Sequence, residues 1–82
     1  MKILYFAWLR EKVGVPYEEK DVKAVTVKDL IQELVEVDEK YAIAFSDLKS
    51  IRVAVDQKLV QDFATSIKNA EEIAFFPPMT GG

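Results

Sequence analysis

A chain of 82 residues that is 50% apolar and 30% charged has the balance of one small globular domain, not of a disordered segment. It has no Cys and no His and a net charge of −3. That composition excludes disulfides, thiolate metal sites and His-based catalysis by the chain itself, and it disfavours nonspecific binding to nucleic acid or anionic membranes.

In chain order, KILYFAW (Lys2–Trp8) reads as a strand with apolar residues on both faces: Ile3, Tyr5 and Ala7 against Leu4, Phe6 and Trp8. LREKVG predicts one helical turn stopped by a left-handed Gly14. Trp8 is read as packing on that turn, with an interface anchor as the alternative. A polar edge strand follows near Tyr17–Ala24. Thr26 then caps the clearest helix, with Asp29 three residues on and a Val25–Leu30 hydrophobic staple. Val27, Leu30, Ile31, Leu34 and Val35 form its buried stripe. A second helical stretch, Glu39–Phe45, turns Tyr41, Ala44 and Phe45 to the same core.

IRVAVDQKLV predicts a hairpin, with Ile51, Val53 and Val55 inward, a turn at Asp56–Lys58 and a return through Leu59 and Val60. Phe63 and Ile67 anchor the next loop. EEIAFF (Glu71–Phe76) is the last strand, with Ile73 and Phe75 on one face and Ala74 and Phe76 on the other. The pairs Glu18-Glu19 and Glu71-Glu72 read as solvated charges. The order predicts an α+β fold: a ubiquitin-like β-grasp with a mixed sheet of four to five strands, covered on one face by one main helix. The domain spans 1–76 and an extended tail spans 77–82.

The run from Ile3 to Leu9 behind Lys2 resembles a signal peptide core, but Arg10, Glu11 and Lys12 stand where a cleavage site belongs, so that reading is rejected. No run approaches the ~20 apolar residues of a membrane span. The expectation is a cytoplasmic protein that binds neither membrane nor nucleic acid.

The tail carries the functional signal. Pro77 and Pro78 have no N–H for a sheet and stiffen the chain beyond Phe76. The six residues Pro77, Pro78, Met79, Thr80, Gly81 and Gly82 reach roughly 20 Å when extended. Gly81 and Gly82 lack side chains and suit a channel no wider than a backbone. A bare carboxylate at Gly82 is a poor electrophile. Adenylation activates it, and sulfur can then displace AMP to give a nucleophilic thiocarboxylate, with no His or Cys needed in the carrier.

FFPPMTGG resembles the C-terminus of the small, sulfur-carrying subunit family of molybdopterin synthase. YFAWLREKVG, TVKDL and VAVDQKLV resemble that family as well, so the likeness spans the chain. Asn69-Ala70-Glu71 departs from it, since relatives often carry an Asp-Gly turn there. The resemblance implies that Gly82 is adenylated by a ubiquitin-activating-like adenylyltransferase, thiocarboxylated with sulfur from a donating enzyme, and inserted into the synthase large subunit. There it would donate sulfur to cyclic pyranopterin monophosphate. ATP would be used by the activating enzyme, so no cofactor or metal is expected on this chain and no catalytic side chain of its own. Phe76 and Leu59 would flank the tail as a partner interface, the alternative being that they complete the core rim. Two other readings stay open. One is a sulfur carrier for thiamin thiazole, tRNA thiolation or cysteine synthesis, and the other is a β-grasp interaction module or protein modifier.

Overall fold

The computed structural model describes residues 1–78. The elements are β1 (Lys2–Tyr5), α1 (Ala7–Val13), β2 (Tyr17–Glu19), α2 (Val27–Val37), α3 (Glu39–Ala44), a 3-10 turn at Leu48–Ser50, β3 (Arg52–Val55), β4 (Lys58–Val60) and β5 (Glu72–Phe76). The strands make one five-stranded sheet in the order β2-β1-β5-β3-β4. β1 and β5 run parallel at its centre, and the other neighbours are antiparallel.

Alternation along the strands sorts the two faces. Ile3, Tyr5, Val53, Ile73 and Phe75 are buried on the face that meets the helices. α2 covers that face with Val27, Leu30, Ile31 and Leu34, as its spacing predicts. It does not act alone: Leu9 and Val13 from α1 and Tyr41 and Ala44 from α3 join the same core. The cover is one main helix with two short ones.

Two strands end well before the sequence reading has them end. β1 stops at Tyr5 rather than Trp8. Ala7 takes a φ of 55°, which swings the chain off the sheet, and Trp8 enters α1 half-buried against the core. β2 ends at Glu19 instead of running to Ala24. The neighbouring β1 begins at Lys2, so after the Lys20 N–H reaches the Met1 carbonyl no ladder partner remains, and the Lys23 N–H turns to the Glu33 carboxylate on α2. Gly14 closes α1 in the left-handed region at φ 97°, as expected.

The start of α2 is fully satisfied. The N–H of Val27 donates to the Thr65 carbonyl, Lys28 to Phe63, Asp29 to Thr26 Oγ1 and Leu30 to the Thr26 carbonyl. The loop after β4 therefore caps the helix as much as Thr26 does, and buried Ile67 pins that loop. Val25 remains 52% exposed, so the expected staple to Leu30 does not bury it.

The β3–β4 hairpin turns through Asp56 (φ 49°) and Gln57 (φ 70°), both left-handed. Asn69 is not among the left-handed residues; the conformational demand falls on this tight turn instead. The Asp56 carboxylate also accepts the N–H groups of Glu71 and Glu72, at 2.9 Å each, which locks the turn to the start of β5. Gln57 has no such role. Gln57→Gly is expected to stabilise the domain by about 0.5 kcal/mol, because relief of the left-handed strain outweighs the entropy of a more flexible unfolded chain. Asp56→Gly is expected to destabilise it. Urea unfolding midpoints of the two variants should move in opposite directions.

Candidate functional site at the tail end of the sheet

β5 is the central strand, and its last residue, Phe76, leads directly into Pro77 and Pro78, which have no regular structure. Both prolines are half-buried against the body of the domain. The remaining tail positions singled out in the sequence, Met79, Thr80, Gly81 and Gly82, lie outside the described residues.

What surrounds the root of the tail is set by register. Residues paired across the sheet point to the same face. On the face away from the helices, Tyr17 pairs with Leu4, Leu4 with Ala74, Ala74 with Ala54, and Ala54 with Leu59. These five side chains make an apolar row across the whole sheet. No helix covers it: Tyr17 is 56% and Leu59 60% exposed. The next row towards the tail holds Phe76, paired with Arg52, and Phe6, whose N–H donates to the Phe75 carbonyl. Phe6 is 47% exposed.

Phe76 and Leu59 thus share the outer face, separated by β3, and neither belongs to the buried core. The sequence reading named these two and missed Phe6, Tyr17, Leu4, Ala74 and Ala54 as their neighbours. Alternation in KILYF already sets Leu4 and Phe6 on one side. Only the β1–β5 pairing brings that side next to Phe76.

Behind the row, the core holds β5 in place. Phe75 stacks on Tyr5 with ring centroids 6.3 Å apart and meets Phe45 edge-on at 4.9 Å. Tyr5 and Tyr41 both donate their hydroxyls to Oε2 of Glu18, at 2.8 and 2.6 Å. The expectation that Glu18 is a solvated charge is wrong. Glu18 pairs with Ile3 and so faces the helices, where two tyrosines satisfy its carboxylate. Glu19, its neighbour, is exposed, as expected.

Burial, and then the adjacent Glu18 carboxylate, hold both tyrosine hydroxyls well above the ordinary tyrosine range. An unfolded tyrosine loses its proton near pH 10, before the folded one does. The network's contribution is therefore fully present below about pH 10 and is lost as the pH rises beyond it. Stability should be level across the neutral range and then fall by about 1.4 kcal/mol per pH unit for each tyrosine involved. Tyr41→Phe should remove its share of that alkaline slope, measurable by urea unfolding at several pH values.

Among the described residues no cluster of acidic side chains is placed to hold a metal ion, and no helix is long and apolar enough to cross a membrane.

A mixed five-stranded sheet with parallel central strands, gripped on one face by a main helix and extended by a tail from its middle strand, defines the ubiquitin-like β-grasp class. The chain superimposes on SAMP1 from Haloferax volcanii with a TM-score of 0.72 and 25% identity, covering 100% of this chain and 98% of that one. The ThiS family model matches residues 3–82, and the chain belongs to the ThiS family. It is similar to the molybdopterin synthase sulfur carrier subunits of Escherichia coli, at 39% identity, and Haemophilus influenzae, at 35%. Each likeness covers 100% of this chain and 99% of the relative.

Proposed function

We propose that this chain is the sulfur carrier of a molybdopterin synthase, working in the cytoplasm. The Gly82 carboxylate is adenylated by a ubiquitin-activating-like enzyme that uses ATP, and sulfur from a donating enzyme then displaces AMP to leave a thiocarboxylate. The folded body docks on the synthase large subunit. The tail from Pro77 to Gly82 enters that subunit's active site and gives its sulfur to cyclic pyranopterin monophosphate. Two such deliveries build a dithiolene.

One observation carries the reading: among the described residues the apolar row from Tyr17 to Leu59 lies uncovered beside the root of the tail, in a chain whose family match runs through residue 82. A solvent-facing sheet surface normally carries polar residues. An apolar one next to a chain end suits a body that seats on a partner while the end goes in. The lack of Cys and His agrees with a carrier that leaves activation to other proteins.

The test is reconstitution. The thiocarboxylated chain is mixed with the cognate large subunit and cyclic pyranopterin monophosphate, and molybdopterin is measured. Product should form, with the carrier returned as the carboxylate. Sulfur retained in this mixture but delivered to a thiazole precursor or a tRNA would assign another client. Amide-linked conjugates on other proteins, without sulfur exchange, would make the chain a modifier.

A further inference from the structure

The charges of the outer face are sorted along the strands. At the end far from the tail stand Glu19, Asp56, Glu71 and Glu72, with Lys2 and the N-terminal ammonium, which pairs with Glu19 at 3.3 Å; Lys2, Asp56, Glu71 and Glu72 line a shallow hollow there. At the end from which the tail leaves, the polarity reverses. Arg52 is the ladder partner of Phe76, and Lys49 sits just before it on the 3-10 turn. Both line an open groove of about 560 Å³ between that turn and the exit of β4, together with the apolar side chains of Leu48, Leu59 and Phe63.

Among the described residues the cations here form no ion pair with the neighbouring acids, whose oxygens accept backbone and hydroxyl hydrogen bonds. Asp47 caps the 3-10 turn, accepting the Lys49 N–H at 3.2 Å and the Ser50 hydroxyl at 2.9 Å. Asp62, which also lines the groove, accepts the Ala64 N–H at 2.8 Å. Arg52 uses Nη1 on the carbonyls of Lys49 and Ile51, at 3.0 and 3.1 Å, which fixes its guanidinium beside the groove. Among the described residues neither Lys49 nor Arg52 is in an ion pair. An acidic chain thus presents, at the end of its sheet where the tail emerges, an apolar-floored groove in whose lining the cations Lys49 and Arg52 outnumber the one carboxylate, Asp62. The groove is continuous with the apolar row through Leu59.

We propose that this groove receives a segment of the synthase large subunit bearing carboxylates around an apolar side chain, with Lys49 and Arg52 as the charge partners and Leu48, Leu59 and Phe63 as the apolar floor. The proposal rests on the carrier reading above and adds what the partner must present. The charge sorting then has a use: an acidic partner surface repels the far end of the sheet and attracts the tail end, so encounters favour the orientation in which the tail leads.

Stopped-flow association of the full chain with the cognate large subunit tests it, at several salt concentrations. Lys49→Gln and the double variant Lys49→Glu/Arg52→Glu are compared with the native chain, each first checked by thermal unfolding. Lys49→Gln leaves every side-chain hydrogen bond described above in place, so it stays informative if the double variant fails to fold. The expected result is association slowed about threefold by Lys49→Gln and at least about tenfold by the double change at low salt, with a flattened salt dependence. Native rates and native salt dependence in both variants would overturn it. So would unchanged association with the large subunit alongside slower adenylation, which would give the groove to the activating enzyme. Unchanged association with shifted amide resonances of Gly82 would give it to the chain's own tail and would equally overturn the proposal. Phe6→Asp, on the exposed outer face but outside the groove, separates the two levels. If it too binds normally, the docking reading itself fails; if it alone weakens binding, only the charged groove is lost.

Discussion

Phe75→Ala is expected to destabilise the domain by about 3–5 kcal/mol, the range for deleting a fully buried aromatic side chain. Phe75 has no exposed surface, and it stacks on Tyr5 and meets Phe45 edge-on. It stands on β5, the strand that pairs with both β1 and β3. A domain this small has a total stability of only roughly 4–12 kcal/mol, so the variant should be largely unfolded or close to it. Urea unfolding by circular dichroism is the measurement. A loss below about 1 kcal/mol would mean that Phe75 is not central to this core. The adjacent Phe76→Ala removes a half-buried ring from the other face and should cost much less, since its surroundings are already partly wet.

The second large effect is on association rather than stability. Leu59 is 60% exposed on the edge strand β4, at one end of the apolar row. Leu59→Asp should change folding stability by no more than about 0.5 kcal/mol, as surface substitutions generally do. In a complex it would bury an unpaired carboxylate, and the expected loss is about 2 kcal/mol or more, roughly thirtyfold in Kd. Titration calorimetry with the cognate large subunit measures it. Native affinity for Leu59→Asp, alone and combined with Phe6→Asp, would remove the outer face from the docking surface.

How far these features were legible beforehand differs by physical cause. The stripe of α2, its Thr26 cap and the left-handed Gly14 follow from local rules that act within a few residues, and they stand where the spacing sets them. Strand alternation sets Phe76 opposite Ile73 and Phe75, but it leaves both Phe76 and Leu59 open between a partner interface and the rim of the core. Their companions were not legible as such. Tyr17, Leu4, Ala74 and Ala54 become one surface only through the register of four ladders, which joins residues distant in sequence. Glu18 was misread for the same reason. Beside Glu19 it looks like half of a solvated pair, and only the meeting of β1, β2 and α3 brings Tyr5 and Tyr41 to its carboxylate. The early end of β1 was missed because Ala7 adopts a left-handed conformation that its residue type disfavours.

These parts form a division of labour. The core and the Tyr5–Glu18–Tyr41 network hold a rigid sheet. In the proposed function the apolar row and the groove with Lys49 and Arg52 are the surfaces for a partner, and the chemistry falls to a tail with no side chain at its tip.

The most direct measurement is the intact mass of the chain after incubation with its activating enzyme, ATP and a sulfur donor, beside a chain lacking Gly82. The native chain should gain the mass of one oxygen-for-sulfur exchange, located at Gly82 by fragmentation, and the shortened chain should gain nothing. Sulfur appearing on the shortened chain, or none on the native chain when an authentic relative is loaded in parallel, would contradict a carrier whose reactive end is Gly82.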